Sequence, residues 1–149
     1  MEEIIDKILE ILKGKHFPEI KSYLFGDPVT YASWDLPCIA VAPARTTSEA
    51  YTMGRTGRDK GVHGVTIYVV RSARDGFSKD SSDSGVDRFL IQTADATVAT
   101  LREDVTLGGV VATHKTSAVQ YVTAVRGREA VRMAQIDVTF EKFKSRQGG

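Results

Sequence analysis

The sequence predicts an α+β domain: a mainly antiparallel sheet of about five strands, with two helices packed on one face and long projecting loops. Three observations carry this expectation. Two segments repeat their apolar residues at helical spacing, the last third of the chain alternates apolar and polar residues with period two, and the segments between are rich in Gly, Pro and Ser. The 149 residues match one domain and suffice to bury roughly 70% of the unfolded surface. We expect a single domain over residues 1–144 and a disordered tail over 145–149, which has nothing apolar to hold it.

Residues 2–13 open the chain as a helix. Ile4, Ile5, Ile8, Leu9 and Leu12 form one stripe, acidic residues lead, Lys13 follows, and Gly14 is placed to end the helix. From Lys15 to Pro37 prolines at 18, 28 and 37 break the pattern, leaving a surface connection with one short strand. Cys38–Ala42 and Val62–Val70 read as neighbouring strands because they are β-branched or continuously apolar. Pro43 to Gly61 between them is either a long loop or two strand extensions forming an arm. A second polar stretch, Ser72 to Ser84, leads to a helix opening with Ser84-Gly85-Val86-Asp87, a capping-box spacing, and running to about Arg102 on Val86, Leu90, Ala94, Val98 and Leu101. Leu107–Thr113, Thr116–Val125 and Glu129–Phe143 are read as a three-strand meander, with turns near His114-Lys115 and at Arg126-Gly127-Arg128.

The composition narrows the function. Twenty basic against 19 acidic residues give a net charge of +1, unlike a dedicated nucleic-acid binder. No apolar run reaches the roughly 20 residues of a membrane span. The start Met1-Glu2-Glu3 lacks the basic, apolar pattern of a secretory signal, so the protein is expected to stay where it is made. The lone Cys38 lies in an apolar run and reads as a buried thiol. His16, His63 and His114 stand far apart without metal-ligand spacing, and no nucleophile elbow, Cys-His pair or H-E-x-x-H appears, so the chain is read as a non-enzyme without a cofactor or metal. Gly54-Arg55-Thr56-Gly57-Arg58-Asp59-Lys60-Gly61 resembles a phosphate loop poorly, because a strand follows where a helix is needed.

The candidate interface residues are Tyr51, Met53, Arg55, Arg58, Lys60, Arg71, Arg74, Phe77 and Lys79. They combine Arg with aromatic side chains in the two long polar segments, a mixture that protein interfaces favour. Nucleic acid could use the same cations, but Asp59, Asp75, Asp80 and Asp83 dilute them.

The amphipathic start Glu3-Ile4-Ile5-Asp6-Lys7-Ile8-Leu9, the strand and polar arm from Cys38 to Val70, the single central helix, and the ending from Ala118-Val119-Gln120-Tyr121 through Ala134-Gln135-Ile136-Asp137-Val138-Thr139-Phe140 together resemble the tail terminator proteins of long-tailed bacteriophages. Minor tail and neck proteins of similar size look alike. The resemblance covers Met1 to about Lys144 and rests on order, length and texture. It implies a structural virion protein at the tail–neck junction, assembled in the host cytoplasm. There it would form a homohexameric ring that caps the tail tube, stops addition of tube protein and docks the head-tail connector or stopper protein. DNA would pass through the channel without specific binding, and no membrane is involved. A neck or tail-completion ring is the near alternative; a small α+β domain that binds a ligand or nucleic acid is the alternative from another class.

Overall fold

The computed structural model describes residues 1–28, 35–50, 58–73 and 85–145. The element order is α1 (Glu2–Lys15), β1 (Ser22–Phe25), β2 (Cys38–Ala50), β3 (Arg58–Ser72), α2 (Gly85–Arg102), β4 (Thr113–Arg126) and β5 (Glu129–Ser145). The strands form one sheet in the order β1-β2-β3-β5-β4. β1 runs parallel to β2, and the other three pairings are antiparallel. This is the expected α+β fold.

Both helices lie against one face of the sheet. Ile4, Ile5, Ile8 and Leu12 of α1 and Val86, Leu90, Ala94 and Leu101 of α2 are buried with Ile39, Val41, Val65, Ile67, Val69, Ala134, Ile136, Val138 and Phe140 from alternate strand positions. Strand side chains alternate between faces, so one face of β2, β3 and β5 supplies the whole apolar layer. α1 covers β1 and β2, and α2 covers β3 and β5. A smaller apolar cluster of Cys38, Val70, Val131 and Met133 occupies the opposite face.

The structure corrects several boundaries. Gly14 lies inside α1, which ends at His16, whose left-handed backbone (φ 54°) lets its N–H donate to the Lys13 carbonyl at 3.2 Å. Glycine permits a left-handed turn without forcing it, and histidine also tolerates that region. Residues 107–112 form no strand, and Thr113 is already the first residue of β4. Leu107, Gly108 and Gly109 have φ of 50°, 68° and 95°, and the Gly108 N–H donates to Asp104 Oδ1 at 3.0 Å, so the chain coils tightly and drops Leu107 into the core. His114-Lys115 is no turn either: both belong to β4, which pairs with β5 from Thr113↔Glu141 to Arg126↔Glu129. The hairpin expected at 126–128 is present as the two-residue turn Gly127-Arg128, with Gly127 at φ 63°. β5 continues through Ser145, one residue into the tail expected to be disordered; residues 146–149 lie outside the described residues.

Thr97 and Thr100 sit on the inner face of α2 because their hydroxyls donate to the carbonyls of Thr93 (2.8 Å) and Ala96 (2.7 Å). The helix's last turn is fixed from the sheet. His114 Nε2 lies 2.9 Å from the Leu101 carbonyl and 3.1 Å from that of Asp104, while its ring packs on Phe140 with centroids 5.4 Å apart. A ring nitrogen between two carbonyl oxygens acts as a donor, so His114 satisfies carbonyls that a helix end leaves open. His114→Ala is expected to lower unfolding stability by about 1–2 kcal/mol, measured by urea titration. A loss below about 0.5 kcal/mol would show that water replaces the imidazole without cost.

Candidate interface: the arm and the open sheet edges

Residues 43–50 and 58–61, read from sequence as a long loop or an arm, are the arm. β2 and β3 stay paired from Cys38↔Val70 to Ala50↔Asp59, with one bulge between Pro43 and Arg45, and β5 follows β3 as far as Arg58↔Ser145. The result is a three-stranded extension of the main sheet. Pro43, Ala44, Arg45, Thr46, Thr47 and Ser48 are all exposed, on both faces of the strand.

Of the nine candidate interface residues, Arg58, Lys60 and Arg71 fall within the described residues; Tyr51, Met53, Arg55, Arg74, Phe77 and Lys79 lie outside them. Arg58 and Lys60 share the arm face turned away from the helices. The Arg58 guanidinium stands 4.7 Å from the centroid of Phe143, and Lys60 Nζ lies 3.5 Å from Glu141 Oε1. Arg71 is an odd number of residues further on and so faces the helices, about 40 Å away along the strand. There its guanidinium covers the Phe89 ring at 4.5 Å and Nη1 donates to Glu19 Oε2 at 3.3 Å. The three cations within the described residues, Arg58, Lys60 and Arg71, are thus split between two faces and two ends of β3.

On the helix side of the arm, His63 Nδ1 lies 3.3 Å from Thr46 Oγ1. Lys142 crosses from β5 to α1 and donates to Glu3 Oε2 at 2.8 Å, which holds the Glu3 carboxyl below its usual range. Burial is the main reason that His63 titrates below the usual 6.5, with repulsion from the N-terminal ammonium and Lys142 adding to it.

Among the described residues the sheet has two open edges of different character. β4 forms one along its whole length. From Thr116 to Val125 this edge carries neither charge nor proline, and Val119, Tyr121 and Val125 are exposed on the side of the helices. Natural edge strands are ordinarily blunted with charges, prolines or bulges, and only the bulge between Thr116 and Ala118 interrupts this one. The other edge is formed by β1 and then, beyond Phe25↔Val41, by β2 from Ala42 onward, a stretch marked by Pro43, Arg45 and a bulge. No family model matches the chain, and no curated protein matches it.

Sequence reasoning missed the β4 edge because it placed a strand at 107–113 beside it. The readable signal was the ten-residue run Thr116–Val125 without a charge, which suits a pairing edge better than a solvated one. A shallow depression of about 620 Å³ on α1 is lined by Glu2, Glu3, Asp6 and Glu10 with Lys7. Among the described residues no three His, Cys, Asp or Glu side chains are grouped to hold a metal ion, and no helix is long and apolar enough to cross a membrane.

A histidine with a lowered folded-state pKa leaves stability intact above its unfolded value and costs stability as pH falls below it, because the unfolded chain then binds the proton better. The His63 ring should titrate below 6.5 by NMR. Lys142→Gln is expected to raise that midpoint; an unchanged midpoint would assign the depression to burial and the N-terminal ammonium alone.

Proposed function

We propose that this chain is a structural subunit of a closed homohexameric ring, and that the ring ends the tail tube of a long-tailed bacteriophage and offers the docking surface for the head-side connector. The observation that carries the reading is the pair of unlike open edges joined by a projecting arm. A ring requires each subunit to present two different surfaces related by a rotation that closes, whereas a two-fold dimer requires only one. The β4 edge and the arm edge of β2 are two such surfaces on opposite sides of one sheet.

The arm extends beyond the helical layer, which suits contact with the tube tip or the connector. Arg58 and Lys60 are engaged with Phe143 and Glu141. That pairing agrees with a channel through which DNA passes without specific binding, since binding to phosphates depends on cations that neutralise them. The resemblance in element order and texture to tail terminators supplies the identity of the ring. A neck or tail-completion ring shares the same subunit logic and is separated by position in the particle.

Light scattering over a wide concentration range, followed by electron microscopy, tests the ring. A six-fold closed particle is the expected outcome, either free or on the tips of purified tail tubes, whose length it should then fix. Tubes that keep growing in its presence, with no ring at their ends, would overturn the terminator reading; a ring bound only to the connector side would move the protein into the neck.

A further inference from the structure

We propose that, outside a ring, two copies of this chain pair through their β4 edges, antiparallel and about a two-fold axis normal to the sheet, with Val122 opposite Val122 of the second copy. The pair stands on the geometry of this one edge. Only its consequence rests on the ring reading: a ring gives the same edge to a different neighbour, so the pair is the form before assembly and opens as the ring closes.

The backbone decides which residues can bond across the edge. The Ala73 N–H donates to the Ala130 carbonyl at 3.0 Å, so Ala130 turns its backbone groups to β3, and Glu129 and Val131 turn theirs to β4. Through Ala124↔Val131, Val122↔Met133 and Gln120↔Gln135, the even-numbered residues of β4 bond β5. Val119, Tyr121, Thr123 and Val125 therefore direct N–H and C=O to the open side. Their side chains stand on the helix side, in the row that pairs with Ile136, Ala134, Arg132 and Ala130.

The ends of the edge fix the register. Its regular part runs from Ala118, after the bulge, to Arg126, where the two-residue turn begins, and its midpoint is Val122. An axis at Val122 overlaps the two regular stretches completely and sets each bulge beside the other copy's turn. Val119 then lies opposite Val125 and Tyr121 opposite Thr123, each pair twice, and all eight residues have outward backbone groups. Moving the axis by half a residue would face outward groups with inward ones. Moving it to Tyr121 would bring the bulged Ser117 into the ladder, and moving it to Thr123 would bring in Gly127 of the turn.

The side chains suit this register. Tyr121 against Thr123 is an aromatic against a β-branched residue, a stabilising cross-strand pair. Val125, 63% exposed, meets Val119, 36% exposed. A two-fold contact sets each row against its own copy, so one charge in the row would put two into the seam; residues 118–125 carry none.

The helix layer adds to the seam. Asp87 of α2 bonds Arg132 of β5 at 3.1 Å, and Asp95 is close enough to Tyr121 to act with burial in raising its hydroxyl above the ordinary value. Ile91 lies four residues from each and so shares their side of α2, toward β4. Of the six large apolar side chains exposed among the described residues, Ile91, Val119, Tyr121 and Val125 thus border one seam. The axis keeps both helix layers on the same side of the joined sheet. Because α2 covers β3 and β5, the two α2 axes stand four strand spacings apart, about 19 Å, against 8–10 Å for packed helices. The helices do not collide, and Ile91 and Tyr121 of both copies line the trough between them.

The test is disulfide trapping in the full chain with one introduced cysteine. Burial pushes the native Cys38 thiol up to about 11, so it stays protonated and unreactive at about pH 8. Oxidised Val122→Cys should link into pairs and no further. Tyr121→Cys should not link, because its two copies stand diagonally about 7–8 Å apart, beyond disulfide reach. Val125→Lys changes an exposed residue and should raise the dissociation constant of the pair, read by light scattering, about tenfold or more with an unchanged circular dichroism spectrum. Linkage of Tyr121→Cys in place of Val122→Cys would overturn the register, and a monomer without linkage would overturn the pair. A free six-fold particle in which Val122→Cys stays unlinked would overturn the pair and leave the ring standing. Linked Val122→Cys pairs whose reduced form never caps tubes would support the pair and overturn the ring reading.

Discussion

The β3–β5 ladder is the constraint on which the rest of the molecule depends. It pairs 15 residues of β3 without a register shift, from Arg58↔Ser145 to Ser72↔Val131. Such a ladder is about 50 Å long, whereas the 14 residues of α1 and the 18 of α2 span about 21 and 27 Å. A sheet longer than the helices that cover it must leave one end bare. That mismatch creates the arm, and the position of the helices decides which end it occupies. α2 is held over β3 and β5 by Leu90, Ala94 and Leu101 and closed off by His114, so the uncovered end is the one carrying residues 43–50, 58–64 and 142–145.

What holds the arm in shape differs from what holds the body. In the body, Ile67, Ile136, Val69 and Phe140 are removed from water, and each buried side chain of this size is worth about 1.5–3 kcal/mol. Further out, backbone ladder bonds continue while burial fades, and cross-strand pairs such as Lys60–Glu141 and Arg58–Phe143 contribute about 0.2–1 kcal/mol each. Lys142–Glu3 ties the arm's root to α1, but as an exposed pair it adds little stability. The arm's order is therefore inherited from the ladder inside the core. Such an extension keeps its backbone direction while its surface remains free for contact.

Much of this was legible in the sequence, for identifiable reasons. The period of Ile4, Ile5, Ile8, Leu9 and Leu12 can bury only as a helix, and the alternation of Ala134, Ile136, Val138 and Phe140 only as a strand. The hairpin at Gly127 announced itself through glycine between two β-branched runs. Two things were hidden. The apolar residues Leu107, Val110 and Val111 gave a strand signal that the left-handed backbone at 107–109 overrides, and this false strand concealed the open edge of β4. The basic residues seemed to gather because they are close in the chain. Placed on a regular strand, Arg58 and Arg71 fall on opposite faces, a difference set by parity that a loop reading cannot contain.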